Sequence, residues 1–127
     1  MDINEIKEAL KVYFEANAKC SGAMMKEVFH ESAYISGYRP DGIFKVRDIN
    51  VFAGDIDKNA PKTPDPSFVP MDEILSIDFT GDNTAVARVK VRVANILFTD
   101  VLSYARVDGK WLIISKLYSG VLLDNNQ

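Results

Sequence analysis

The segment TAVARVKVRV, Thr84 to Val93, alternates: Ala85, Ala87, Val89, Val91 and Val93 share one face, and Arg88, Lys90 and Arg92 share the other. A period of two with one apolar side is the mark of a strand that buries one face and wets the other. The same alternation continues on both sides. It predicts strands over Asp72 to Phe79, about Ile96 to Val107, and Lys110 to Tyr118, with turns at Gly81-Asp82-Asn83 and Asp108-Gly109.

Upstream the spacing becomes helical. Asp2 and Glu5 make a capping-box-like start, and Ile3, Ile6, Leu10, Tyr13 and Asn17 then fall on one stripe. Ser21 is placed to cap a second helix that buries Met24, Met25, Val28 and Phe29. Ala33 to Val46 reads as a hairpin around Arg39-Pro40-Asp41-Gly42, where proline presets one turn dihedral and glycine accepts positive φ. Asp48 caps a third helix with Ile49, Phe52 and Ile56, ended by Asn59 and Pro61. Pro61, Pro64, Pro66 and Pro70 make the next stretch a loop, either a plain connection or a lid over a cavity. Helices first and antiparallel strands after them predict an α+β fold, a curved sheet around three helices with a cavity at its open end.

Composition bounds the function. The 127 residues suffice for one domain, residues 1–127, with a core that needs neither disulfide nor metal. A net charge of −3, with 47% hydrophobic and 26% charged residues, gives no overall attraction to nucleic acid or an anionic membrane. The lone Cys20 and an acidic rather than basic amino terminus point to the cytoplasm, without a signal peptide or a spanning segment. One histidine, His30, and scattered carboxylates make no metal site, and no glycine-rich phosphate loop suggests a cofactor. Arg88, Lys90 and Arg92 lack the interleaved aromatics of a nucleic-acid platform, and Asp72 and Asp78 lie on the neighbouring strand.

The last hairpin decides which polar groups face inward. A two-residue turn at Asp108-Gly109 pairs Val107 with Lys110 and puts Asp100 on the face of Trp111. A three-residue loop with Gly109 as a bulge pairs Arg106 with Lys110 and sets Asp100 opposite Lys116. The second is the preferred register. It sends Asp100, Leu102, Tyr104, Leu112, Ile114, Lys116 and Tyr118 to one face, and Trp111 and Ile113 to the other. An acid and a lysine on an apolar face are costly unless paired, so their meeting implies one polar spot in a cavity.

The opening helix with Tyr13, the segment Val28-Phe29-His30-Glu31-Ser32-Ala33, and the close Thr99-Asp100-Val101-Leu102 through Asp108-Gly109-Lys110-Trp111-Leu112-Ile113 together resemble the nuclear transport factor 2-like superfamily, of cystatin-like fold. Within it the chain looks most like small bacterial proteins of the lumazine-binding and polyketide-cyclase-like kinds. The resemblance implies a cone of three helices in a bent antiparallel sheet, a pocket in the cone, and a homodimer through the outer sheet face. Its ketosteroid isomerase branch puts an oxyanion-hole tyrosine on Tyr13 and a second hydrogen-bonding acid near Asp100, with hairpins that differ in length by one residue. The branch's general base falls on Gly37, so that isomerisation is not expected here.

The leading expectation is a small-molecule-binding domain whose pocket has Tyr13, Asn17, Phe29, Asp100, Lys116 and Tyr118 near its lining and takes a compact hydrophobic or cyclic ligand. An isomerase, dehydratase or cyclase with Asp100 or His30 moving a proton is the alternative, and an interaction module working through the sheet face is the third.

Overall fold

The computed structural model describes residues 2–63 and 65–123. Helices α1 (Ile3–Ala18) and α2 (Gly22–Val28) lead into strands β1 (Phe29–Tyr38) and β2 (Phe44–Asp48), then helix α3 (Ile49–Lys58). Strands β3 (Glu73–Phe79), β4 (Thr84–Val93), β5 (Ile96–Val107) and β6 (Lys110–Leu122) complete one six-stranded sheet in the order β2-β1-β6-β5-β4-β3. The sheet is curved and unclosed, and the fold is α+β as the alternation implied. One pairing departs from the antiparallel expectation: β1 runs parallel to β6, because the first hairpin closes onto the last strand of the chain.

Local chemistry sets the helix ends. Asp2 accepts from the Asn4 amide, Ser21 from Met24 and Asp48 from Val51, each satisfying an orphan donor of the first turn. Glu5 does not close a capping box. Its carboxylate instead accepts from the Trp111 indole at 2.9 Å and from Arg106 at 3.3 Å, tying the start of the chain to its last hairpin. Ile3, expected on the buried stripe, stays 46% exposed, while Ile6, Leu10, Tyr13, Ala16 and Asn17 are buried. Phe29, expected in the second helix, has extended dihedrals and begins β1 with its ring still in the core. Ile6, Leu10, Met25, Ile35, Leu102 and Ile113 are fully buried there, each contributing about 1.5–3 kcal/mol relative to exposure.

The last hairpin corrects the preferred register. Asp108 and Gly109 both have positive φ, 52° and 79°, and Val107 pairs with Lys110, so the turn has two residues. The bulge lies higher: Tyr104 pairs with Ile113 and Ser103 with Ser115, leaving Ile114 unpaired. That extra residue lets Trp111 and Ile113 point inward below it and Lys116 and Tyr118 point inward above it. Trp111 and Ile113 are therefore core residues rather than outer ones, and Leu112 and Ile114 are the half-buried outer ones. Asp100 stands opposite Tyr118, and Lys116 opposite Leu102.

On the opposite side of β4, Lys90 faces Glu73 and Arg88 faces Ser76, so Asp72 and Asp78 are not their cross-strand partners. The proline-rich loop is fastened to this side, where the Arg92 guanidinium donates to the Val69 carbonyl at 3.2 Å and covers the Phe68 ring at 4.8 Å. Pro64 lies outside the described residues. No described helix is long and apolar enough to cross a membrane.

Candidate functional site

A cavity of about 640 Å³ opens between β2, α3, the carboxyl end of α1 and the β4–β5 end of the sheet. Its apolar wall is formed by Phe52, Ile56, Val91, Ile96 and Phe98. Asn17, Lys116 and Tyr118 stand on it, while Tyr13, Phe29 and Asp100 are packed behind it in the core.

Helical spacing puts Tyr13 and Asn17 one turn apart on the inner stripe of α1, where Asn17 Nδ2 donates to the Tyr13 carbonyl at 3.0 Å. The Tyr13 hydroxyl crosses to the sheet and donates to Asp100 Oδ2 at 2.5 Å. Lys116 Nζ lies 3.8 Å from the same oxygen, an ion-pair distance rather than a hydrogen bond. Asp100 Oδ1 is buried without a partner. Three rings enclose the Lys116 nitrogen, with centroids at 4.8 Å for Phe52, 5.5 Å for Tyr13 and 5.7 Å for Tyr118.

Burial dominates the protonation of this group. It raises the Asp100 carboxyl above the ordinary carboxylate range, against the opposing pull of Lys116 and the Tyr13 hydrogen bond. It holds the Lys116 ammonium below the usual lysine range, with Asp100 opposing and Arg47 adding to the shift. The Tyr13 phenol is raised well above its usual value by burial first and by the Asp100 charge second. Burial thus works against charge on both the acid and the amine, while their mutual attraction works for it.

The sequence reading missed the second charged group on the wall. Arg47 donates to Asp55 at 2.9 Å and to the Tyr118 hydroxyl at 3.5 Å, with its guanidinium 5.2 Å from the Phe52 ring and its Nε unpartnered. Arg39, Lys45 and Lys58 join it around the mouth. Alternation in β2 already put Lys45 and Arg47 on one face; that this face turns inward follows only from pairing Tyr38 with Phe44 and Ser36 with Val46.

His30 does not join the group. It sits one residue into β1, its Nδ1 accepts from the Ser32 amide at 3.1 Å, and it is not on the cavity wall. Cys20 follows the Lys19 cap of α1 with φ of 48° and borders the cavity mouth, its thiol directed at the Asn17 carbonyl. Gly37 faces inward against Tyr118: a β-carbon there would overlap the Tyr118 carbonyl oxygen and lie 2.6 Å from its ring. No carboxylate fits at that position. Among the described residues no three His, Cys, Asp or Glu side chains are grouped to hold a metal.

With this geometry, residues 1–119 match the family model described as "Putative lumazine-binding". The chain belongs to that family. It is also 31% identical over 108 residues to the aldolase FrzH of Cladobotryum sp., covering 84% of this chain and 81% of the relative. Among solved structures, a nuclear transport factor 2-like protein from Methylobacillus flagellatus superposes with a TM-score of 0.80 at 30% identity, covering 94% of this chain and 91% of the other. A second, from Shewanella baltica, gives 0.79 at 28% identity, with 93% and 92% covered. The family member is thus a nuclear transport factor 2-like domain of cystatin-like fold.

Proposed function

We propose that this lumazine-binding family member is a small-molecule-binding domain that takes a compact, partly aromatic or cyclic ligand into the cavity of the cone. The observation that carries this reading is Lys116, 7% exposed on the wall of a 640 Å³ cavity with both apolar and polar lining, and backed by Asp100. A cavity of that size, with an apolar wall on one side and charged and polar side chains on the other, suits a drug-sized ligand that carries both kinds of surface. Asn17, Lys116 and Tyr118 contact the ligand directly, and Tyr13, Phe29 and Asp100 hold the charge and shape of the wall behind them. Its compartment in this reading is the cytoplasm, where Cys20 remains a thiol.

The test is thermal stabilisation by lumazine and a panel of bicyclic aromatic compounds. At least one compound raises the melting temperature of the wild-type protein and does so less for Lys116→Met and Asp100→Asn. Equal stabilisation of all three proteins would overturn the polar spot, and no stabilisation across the panel would overturn the pocket.

An enzyme reading has one specific support: the relative named an aldolase, together with a phenol, a carboxyl and an amine clustered at the cavity wall. In that reading the domain moves a proton on a carbonyl compound. A homodimer is a further part of the proposal. Tyr34, Tyr38, Phe44, Val46, Leu117 and Val121 leave an exposed apolar band on the outer face of β1, β2 and β6, which a second copy covers.

A further inference from the structure

We propose that Lys116 is an amine nucleophile that forms an iminium with carbonyl compounds bearing an anionic group. The inference rests on the pocket reading above and names the class of ligand that the pocket takes. Its starting point is which of Tyr13, Asp100 and Lys116 meets the cavity. Tyr13 and Asp100 are fully buried and absent from the cavity wall, whereas Lys116, the ion-pair partner of Asp100, is part of that wall. A bound carbonyl carbon therefore encounters nitrogen before it encounters either acid.

The surroundings suit that nitrogen. Asp100 Oδ2 lies 3.8 Å from Nζ, close enough to exchange a proton with an atom bonded one position further out, and Oδ1 has no partner to satisfy. Burial favours the uncharged forms of both groups, an amine beside a carboxylic acid, which is the combination that attacks and then dehydrates. In the first step the Nζ lone pair forms a bond to the carbonyl carbon while the π pair moves to oxygen. Transfer of one proton from nitrogen to that oxygen gives the carbinolamine. The Asp100 carboxyl then gives its proton to the hydroxyl, water leaves, and the C=N bond forms, so amine, carbonyl and acid become iminium, carboxylate and water. The iminium carries a fixed positive charge among the faces of Phe52, Tyr13 and Tyr118 and beside the new Asp100 carboxylate, which stabilise it.

The charge at the mouth sets the rest of the ligand. Arg39, Lys45, Arg47 and Lys58 border the cavity, and among the described residues of its wall Asp55 is the one acid. Arg47 is held by Asp55, and the other three have no acid among the described lining residues to offset them. On a chain of net charge −3 this local excess of cations selects a carboxylate or a phosphate on the far end of the ligand, with its apolar body against Ile96 and Phe98.

Reductive trapping tests this on the wild-type protein. With 4-formylbenzoate and cyanoborohydride near neutral pH, peptide mapping is expected to show Lys116 modified at least tenfold faster than the exposed lysines. The neutral benzaldehyde is expected to react at Lys116 at least fivefold more slowly, and 4-formylphenyl phosphate, run in parallel, tells whether the mouth prefers phosphate or carboxylate. Asp100→Asn keeps the shape and removes the proton, and slows labelling at Lys116 tenfold or more while 4-(hydroxymethyl)benzoate still binds. Labelling spread over exposed lysines with Lys116 untouched, while that alcohol still perturbs the NMR signals of the cavity wall, overturns the nucleophile and leaves the pocket standing. Failure of the alcohol to bind together with no stabilisation by the bicyclic panel removes the pocket reading and the iminium with it; failure of the alcohol alone overturns the iminium proposal for this ligand class. Equal rates for charged and neutral aldehydes overturn the anionic selection alone.

Discussion

The Tyr13 hydroxyl and the Asp100 carboxylate, 87 residues apart in the chain, share a 2.5 Å hydrogen bond at zero solvent exposure. Neither group has water to fall back on, so each depends on the other for its polar contact. Their contact makes α1 and β5 one unit and sets the back wall of the cavity.

Loss of that contact is measurable. Tyr13→Phe is expected to destabilise the fold by about 1–3 kcal/mol, because Asp100 is left buried with neither oxygen hydrogen-bonded. Asp100→Leu removes the charge along with the acceptor. In a double-mutant cycle read by urea denaturation the two costs are not additive: the double variant is more stable than the sum of the singles by about 1 kcal/mol or more. Additivity would show that the hydrogen bond contributes nothing.

Lys116 makes stability depend on alkaline pH. Burial lowers its pKa in the folded protein, so between that value and the unfolded value near about 10.4 the native state binds fewer protons than the unfolded chain. Stability arising from this group therefore rises as pH climbs through the window and is lost as pH falls. Tyr13, raised above its usual value, opposes this only beyond about pH 10. In an Asp100→Asn background, which removes the carboxyl titration, Lys116→Met should stabilise the fold at neutral pH, and the gain should shrink as pH rises towards the unfolded lysine value. A gain that is constant with pH would mean that the ammonium carries no burial penalty.

Gly37 leaves no room for a side chain. Gly37→Ala pushes a methyl group into the Tyr118 backbone and ring and is expected to cost about 2 kcal/mol or more, seen as a lowered melting temperature. Gly37→Asp, which would supply the base missing from the ketosteroid isomerase pattern, is expected to fold less well still. A stable Gly37→Asp protein would mean that β1 and β6 can separate at this point.

The apolar outer band makes its own prediction. Leu117 is 55% exposed and Val46 57% exposed, so Leu117→Asp and Val46→Asp should alter the stability of an isolated protomer by no more than about 0.5 kcal/mol. Sedimentation should show a dimer for the wild-type protein and a monomer for either variant. A wild-type monomer at micromolar concentration would sink the dimer.

Particular residues mark how far the chain could be read without coordinates. Asp48 and Ser21 cap helices because their side chains reach amides three residues on, and β3 to β6 lie where alternation put them, because both signals act over a few residues. Tyr13, Asp100 and Lys116 were legible as inward-facing polar groups. Arg47 and Lys45 were not, since alternation within β2 names two faces without saying which one is inside.

Local spacing and capping chemistry thus determined the elements, their order and the α+β class, since these depend on near neighbours along the chain. Tertiary structure alone decided the site. The unpaired Ile114 shifts β6 by one residue, so that Trp111 and Ile113 and then Lys116 and Tyr118 all point inward, where an unbroken strand would have sent one pair out. A bulge is chosen by the packing of both strands against the helices, and no run of residues in β6 encodes it independently. The parallel seam between β1 and β6 likewise brings residues from the two ends of the chain together, a contact with no counterpart in local sequence.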